Sequence, residues 1–467
     1  MISNNKVYTG LNDPEINLRW DWNSLLCDNK NLLLKNYSQA YFPEADDVVR
    51  YLADFADHYS LRVRFETTAL KITRTPEGFD VTDKDGNSYF TQRLIVASGL
   101  TKSYVPAIPG IEVAEQYANV SVDPKDFINQ RVLILGKGNS GFETAENLIP
   151  TAAIIHIASP TALSLAWKTH FVGHLRAVNN NLLDTYQLKS QNAVLDASIQ
   201  KIEKRNGEFV VAVSYTHANG EQEELHYDRV IVCTGFRFDD SIFDDTCKPA
   251  LAINDRFPNQ TSEWESTSVN DLYFAGTLSQ VRDYKKGTSG FIHGFRYNAL
   301  ALHRILEQKY HSKPWPSHSV RATPEGLVQA VLERINRSSA LWQQFAFLCD
   351  VIEVSNCGDV VRYYEEMPVG YLHDSEIGKG GLYFAITLEF GEITGDPFNI
   401  HRQPDPSKAE RSTFLHPVVR RYTGSTLIAE HHVLEDLFGE WKRPVHIQPL
   451  LAFFERSLAD DGRPSLE

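Results

Sequence analysis

The 467-residue chain is poor in sulfur, with five cysteines and two methionines, and no two cysteines stand at C-x-x-C spacing. Cys27, Cys233, Cys247, Cys349 and Cys357 are scattered. That pattern excludes a disulfide framework and a mechanism that works through a local dithiol. Long apolar runs are missing too: no stretch approaches the roughly 20 residues that cross a bilayer. The opening MISNNKVYTGLNDPEINLRW holds no signal-peptide core. The chain therefore reads as cytoplasmic, with a signal peptide left to any segment upstream of Met1. Positive charge is scarce, with 46 Lys and Arg against 60 Asp and Glu and a formal charge of -14. Without a basic excess or stripe, nucleic acid is excluded as a partner. No metal is expected, because the adjacent His431 and His432 cannot both face one ion from a helix. No spacing supports a Ser-His-Asp triad or paired glycosidase carboxylates.

What is present is ordinary globular composition, 42% hydrophobic and 23% charged. The length suits about three domains at roughly 150 residues each. Val48, Val49, Leu52, Phe55 and Ala56 recur at helical spacing between Pro43 and His58. LRVRFET reads as a strand, and FDVTDKDGNSYF as a hairpin around a polar turn. Trp20 and Trp22 alternate as a strand or hairpin pair would. RLIVASG, VIVCTG and DLYFAG are short apolar strands that stop on Gly99, Gly235 and Gly276, as buried parallel strands do. Residues 160–192 form a long polar insertion, and HSKPWPSHSVRATP (311–324) reads as a linker. Beyond it, helices mix with strands such as LYFAITLEF.

The most specific signal is RVLILGKGNSGFETAENLI, an apolar strand, a glycine turn and a helix whose Phe142, Ala145 and Leu148 share a face. Gly136-Lys137-Gly138-Asn139-Ser140-Gly141 fits G-x-G-x-x-G in the strand-to-helix context that gives the pattern physical meaning. Gly136 permits the tight turn, Gly138 leaves room for a pyrophosphate, and Gly141 lets helix and strand pack closely. The helix start adds unpaired N–H groups and positive potential. NAD-binding versions place an acid about 20 residues beyond the first glycine, but His156 to Pro160 contain none. NADPH is favoured and NADH stays open. Lys168, His170 and Arg176 are candidate counter-charges for a ribose phosphate, or simply solvated loop. One nucleotide does not explain three strands that end on glycine. Two interleaved dinucleotide domains do, with a flavin as the second ligand.

These stretches, with SNNKVYTG, YFPEADDVVRYLADFA, FVGHLRAVNNNLLDTYQLKS and TSGFIHGFRYNA, resemble the flavin-containing monooxygenase superfamily in the expected order over 1–300. Nearer still, the chain looks like the endoplasmic-reticulum-type FAD-dependent oxidoreductase of that superfamily and its bacterial relatives. FLHPVVRRYTG and HHVLEDLFGEW extend the likeness toward the C-terminus. The resemblance implies a fold like that of pyridine nucleotide-disulfide oxidoreductases, binding FAD and NADPH. Gly136, Gly138, Asn139, Ser140 and Gly141 would hold the NADPH pyrophosphate. Asn5 would lie beside the flavin C4a position as the catalytic asparagine. Gly99 and Gly235 would close the crossing segments, Asp271 and Gly276 would follow the FAD pyrophosphate and ribityl chain, and Gly290 to Gly294 would start the flavin-facing helix. His293 either sits near the flavin or packs in the core, and His174, Asn179, Asn180, Asp184 and Tyr186 either contact ligand or are loop polarity.

Two departures stand out. The stretch EQYANVSVDPKDF replaces the F-x-G-x-x-x-H-S of ordinary N- or S-oxygenases, and no FAD G-x-G-x-x-G precedes Asn5. The expected fold is α/β, with two interleaved Rossmann-like domains, the FAD domain incomplete at its N-terminus, and a C-terminal α+β domain. The boundaries are 1–128 and 233–312 for FAD, 129–232 for NAD(P) and 325–467 for the accessory domain. The expected function is an NAD(P)H-dependent flavoprotein oxidoreductase, monooxygenase-like, passing electrons to O2 and a small organic substrate. The alternatives are an oxidase or reductase without oxygenation, and a truncated, non-catalytic nucleotide-binding protein. A homodimer is compatible with all three.

Overall fold

A computed structural model describes residues 13–169, 171–188, 191–354, 360–393, 395–396 and 399–459. It divides into two compact units. Residues up to Gly99, Asp240–Ile253 and the chain from Pro258 onward form one; Leu100–Asp239 with Asn254–Phe257 form the other. The nucleotide unit is thus inserted in sequence within the other, the interleaving expected of two dinucleotide domains.

In the first unit, helices α1 (Pro14–Leu18) and α2 (Ala45–His58) precede a meander of β1 (Ala69–Thr75), β2 (Gly78–Asp83) and β3 (Ser88–Thr91). Strand β4 (Leu94–Val96) follows. The hairpin FDVTDKDGNSYF forms as expected, with Asp83 accepting from Asn87 and Tyr89 around the turn. LRVRFET does not form a strand. Leu61, Val63 and Phe65 are exposed, and Glu66 adopts a left-handed φ of 54° that breaks an extended run.

The second unit carries β5 (Glu115–Gln116), β6 (Arg131–Leu135), α3 (Asn139–Leu148), β7 (Ile154–Ser159), β8 (Ala193–Arg205), β9 (Glu208–Tyr215), β10 (Gln222–Tyr227) and β11 (Arg229–Val232). They make one seven-stranded sheet in the order β10-β9-β8-β7-β6-β11-β5. From β8 through β5 all neighbours are parallel, while β9 and β10 continue the edge as antiparallel ribbons. Strand β6 is buried from Val132 to Leu135 because it is central and covered on both faces. Phe142, Ala145 and Leu148 of α3 pack on Ile134, Ile155, Ile157 and Ile231. Burying each of the Phe, Leu and Ile side chains contributes about 2 kcal/mol.

Returning to the first unit, β12 (Leu272–Phe274) pairs in parallel with β4. Buried apolar strands were expected here; β12 is fully buried, but Ile95 of β4 is 49% exposed. Among the described residues β4 pairs with β12 alone, so one edge stays uncovered. Helix α4 (Ile292–His311) leads to β13 (Ser317–Arg321), α5 (Pro324–Arg337), α6 (Ser339–Gln343), β14 (Leu348–Val354), β15 (Val360–Pro368), β16 (Leu382–Glu389), β17 (His416–Thr423), β18 (Thr426–His432) and α7 (Pro444–Ala459). The six strands form an antiparallel sheet, β13-β15-β14-β16-β17-β18, with α5 and α7 in its core. The expected linker is therefore partly structured. Ser317–Arg321 is the edge strand paired to β15, and its polar residues are tolerated because an edge is largely solvated. His431 and His432 lie on β18, a strand and not a helix.

The fold is α/β with a bipartite FAD/NAD(P)-binding organisation and added α+β elements. No helix among the described residues is long and apolar enough to cross a membrane.

Candidate functional site

Strand β6 ends at Leu135 and the chain turns through Gly136 at φ +117°, where a Cβ would stand 2.3 Å from the Cys233 carbonyl oxygen. Gly141 sits one helical turn on, and a Cβ there would meet the Gly136 oxygen at 2.2 Å. Both positions exclude side chains for internal reasons. Gly138 is different: its φ of -89° suits any residue, and a Cβ there would meet no heavy atom within 4 Å. It caps α3 without a side-chain hydrogen bond, so the first N–H groups of the helix point outward unpaired. This is the arrangement that accepts a pyrophosphate. The residues fit a nicotinamide dinucleotide.

Asn139 looks inward. Its amide donates to the His174 carbonyl at 2.8 Å, and its oxygen accepts from the Arg176 N–H at 3.0 Å and the Asn179 amide at 2.9 Å. One side chain therefore clips residues 174–179 of the polar insertion to the glycine turn. Arg176 is brought to the motif through its backbone, while Lys168 is exposed on the short helix Ala166–Thr169. His174 bonds the Thr169 hydroxyl at 2.7 Å, and Asn179 is buried. Asp184 lies in the helix Asn181–Gln187. Asn5 and His170 lie outside the described residues, as does the side chain of Tyr186.

In the other unit, Gly99 follows β4 at φ +71° and Gly276 follows β12 at φ +64°, and a Cβ at either would meet nothing within 4 Å. At Gly235, by contrast, a Cβ would stand 3.1 Å from the Arg256 guanidinium within the nucleotide unit. Helix α4 starts after Phe291 without a side-chain cap. At Gly290 a Cβ would strike Gln280, and at Gly294 the Thr288 oxygen at 2.0 Å. A buried carboxyl, Asp283, lies against this start: Oδ2 accepts from the Ser289 N–H at 3.0 Å, while Oδ1 is buried without a protein partner. Burial pushes the Asp283 carboxyl up to about 6. Glycines that open at strand ends, an uncapped helix start and an orphaned polar atom fit a second dinucleotide. Asp271 is shared among the Tyr310 hydroxyl at 2.8 Å, Arg74 at 3.6 Å and Arg93 at 3.7 Å. His293 is buried beside the Trp22 ring at 4.9 Å and stacked on Phe291, and burial pushes it down to about 3, so it is neutral. Trp20 is 45% exposed against Trp342 and is not core.

Sequence reasoning missed the support of α4. Gln344, fully buried, donates to the Gly294 carbonyl at 3.1 Å, the Asn298 oxygen at 2.6 Å and the Ser289 hydroxyl at 3.2 Å, and accepts from Thr288 at 2.8 Å. Asn298 in turn donates to Ser279, whose hydroxyl donates to the Gly276 carbonyl at 2.8 Å. Arg296 reaches the Ser24 and Leu18 carbonyls. The four described cysteines are free, and burial pushes Cys233 up to about 12, which keeps it from serving as a thiolate.

A sheet with a strand–glycine–helix turn in one unit, and glycine-ended parallel strands in the other, defines an FAD- and NAD(P)H-dependent flavoprotein oxidoreductase. The profile of the family described as "Pyridine nucleotide-disulphide oxidoreductase" matches residues 18–276, and the chain belongs to that family. Among its relatives, "FAD-dependent oxidoreductase domain-containing protein 2" of Mus musculus is 38% identical, covering 99% of this chain and 78% of the relative. The protein of the same description from Danio rerio is 35% identical over 99% of this chain and 77% of its own. Among solved structures, a bacillithiol disulfide reductase from Staphylococcus aureus is similar with a TM-score of 0.48 and 15% identity, over 62% of this chain and 87% of its own.

Proposed function

We propose that the protein is an NADPH-dependent, monooxygenase-like flavoenzyme that passes electrons to O2 and a small organic substrate. The observation that carries the dinucleotide-dependent part of this reading is Gly138, a glycine needed neither for its backbone angle nor for packing, set at the uncapped start of α3. Ser140 and Gly141 present backbone N–H groups to the pyrophosphate, and Asn139 holds residues 174–179 beside it. Gly99 and Gly276 leave the backbone open to FAD, and Gln344 fixes the start of the helix on which Gly294 lies. FAD held there would supply the hydride-accepting and electron-passing chemistry, with the nicotinamide as the hydride source.

A second reading, an oxidase or reductase without oxygenation, is favoured by EQYANVSVDPKDF standing where oxygenases carry F-x-G-x-x-x-H-S. Product accounting separates the two. The holoenzyme is supplied with NADPH, O2 and small nitrogen or sulfur nucleophiles, and NADPH loss, peroxide and oxygenated product are measured together. Oxygenated product in step with NADPH supports the first reading; peroxide alone, in step with NADPH, replaces it with the second.

A further inference from the structure

Lys137 occupies the first variable position of the glycine motif, where a solvated side chain would be ordinary, yet its side chain is only 4% exposed. Its ammonium pairs with Asp196 and donates to the Thr161 carbonyl at 3.2 Å. Asp196 lies on β8 in parallel register with Ser159, the last residue of β7, and its side chain remains 37% exposed. The backbone there is fixed independently, because the Thr216 N–H and hydroxyl both donate to the Asp196 carbonyl, at 2.8 and 3.0 Å. In dinucleotide folds of this topology, the carboxylate that accepts from the adenosine 2′-hydroxyl stands at the end of the second strand. Here that place is Ser159, whose hydroxyl donates to the Thr161 carbonyl at 3.1 Å. A carboxylate at the same level of the sheet comes instead from the neighbouring strand, and the lysine of the glycine motif neutralises it.

We propose that the Lys137–Asp196 pair sets the choice between 2′-phosphorylated and 2′-hydroxyl dinucleotides. This rests on the reading that residues 136–141 hold a nicotinamide dinucleotide. Paired, Asp196 presents no net negative charge to a ribose phosphate, and its Oδ1 is engaged by the ammonium, so the phosphorylated cofactor is accepted. Unpaired, the same carboxylate repels the phosphate and is available to the hydroxyl. Two charges a few ångströms apart near a protein surface differ enough in energy to move the ratio by about tenfold or more. Lys137 is thus a specificity-determining residue that acts through Asp196.

The test is calorimetric binding of adenosine 2′,5′-bisphosphate and of ADP to the FAD-loaded full chain, in wild type, Lys137→Met, Asp196→Asn and the double variant. Wild type should prefer the bisphosphate. Lys137→Met should lower bisphosphate affinity about tenfold while ADP binding holds or tightens. Asp196→Asn should keep or strengthen the bisphosphate preference, and the double variant should recover it. An unchanged ratio in Lys137→Met overturns the proposal. So does a double variant as weak as Lys137→Met, because the lysine would then hold the phosphate directly. A wild type that binds both ligands without preference overturns the proposal alone; a wild type that binds neither overturns the nucleotide reading with it.

Discussion

Single side chains do their work here by holding other parts of the chain, and Gln344 shows it best. Its amide joins α6 to the Ser289, Gly294 and Asn298 groups at the start of α4, with no solvent to replace any bond. Gln344→Ala leaves several buried groups unsatisfied and should cost about 3 kcal/mol of stability, read by denaturant melts, together with weaker retention of FAD in gel filtration. Retained flavin and an unchanged melt would remove Gln344 from this role. Asp283 gives a pH signature. Its folded value lies above the unfolded 3.8, so its contribution is fully present below 3.8 and is lost as pH rises through about 6. Asp283→Asn lacks this loss. The stability of the variant relative to wild type should therefore rise by about 2 to 3 kcal/mol across that window and level off above it; a flat difference across the window would contradict the burial of a charged carboxyl. Neither residue was legible in the sequence. Gln344 meets partners 46 to 56 positions away, and Asp283 sits in a loop with no motif around it.

At the scale of elements, legibility followed locality. The strand, turn and helix of 131–148 were readable because periodicity, glycine spacing and helix start are all written within 18 residues of one another. LRVRFET misled for the same reason: apolar and charged residues alternate from Leu61 to Glu66 as in a strand, but the left-handed Glu66 and the lack of a pairing strand among the described residues leave it as loop. Ser317–Arg321 was hidden by a linker-like composition, since an edge strand needs a partner more than it needs apolar residues. The glycine turn gives the sharpest element-scale prediction. Gly138→Ala should leave the fold nearly intact, costing about 0.5 kcal/mol at a helix N-cap, yet weaken NADPH binding about tenfold or more, because the new methyl occupies the approach to the backbone. Gly141→Ala forces a Cβ to 2.2 Å from the Gly136 oxygen and should lower stability by about 2 kcal/mol as well as binding. Melts and nucleotide titrations on both variants check it. Equal effects of the two substitutions on binding and stability would mean that Gly138 serves packing and not a ligand.

For the whole molecule, the chain divides its labour in sequence: one unit inserted within the other, each with its own glycine-lined strand ends, and a C-terminal antiparallel sheet whose α6 and Gln344 buttress α4. The interleaving and the two cofactors followed from the order of three strand-to-glycine stops, whereas the structural service of the C-terminal region could only be seen once its residues were placed. The proposed activity is that this chain holds FAD and reduces it with NADPH bound at 136–141. Anaerobic titration of the purified, flavin-loaded protein with NADPH, followed by the oxidised-flavin absorbance band, tests it most directly. Bleaching at one NADPH per FAD is expected, with Gly138→Ala needing more NADPH for the same loss and dithionite bleaching both proteins equally. A flavin band that NADPH and NADH leave untouched while dithionite removes it, or a protein that takes up no FAD, would contradict the claim.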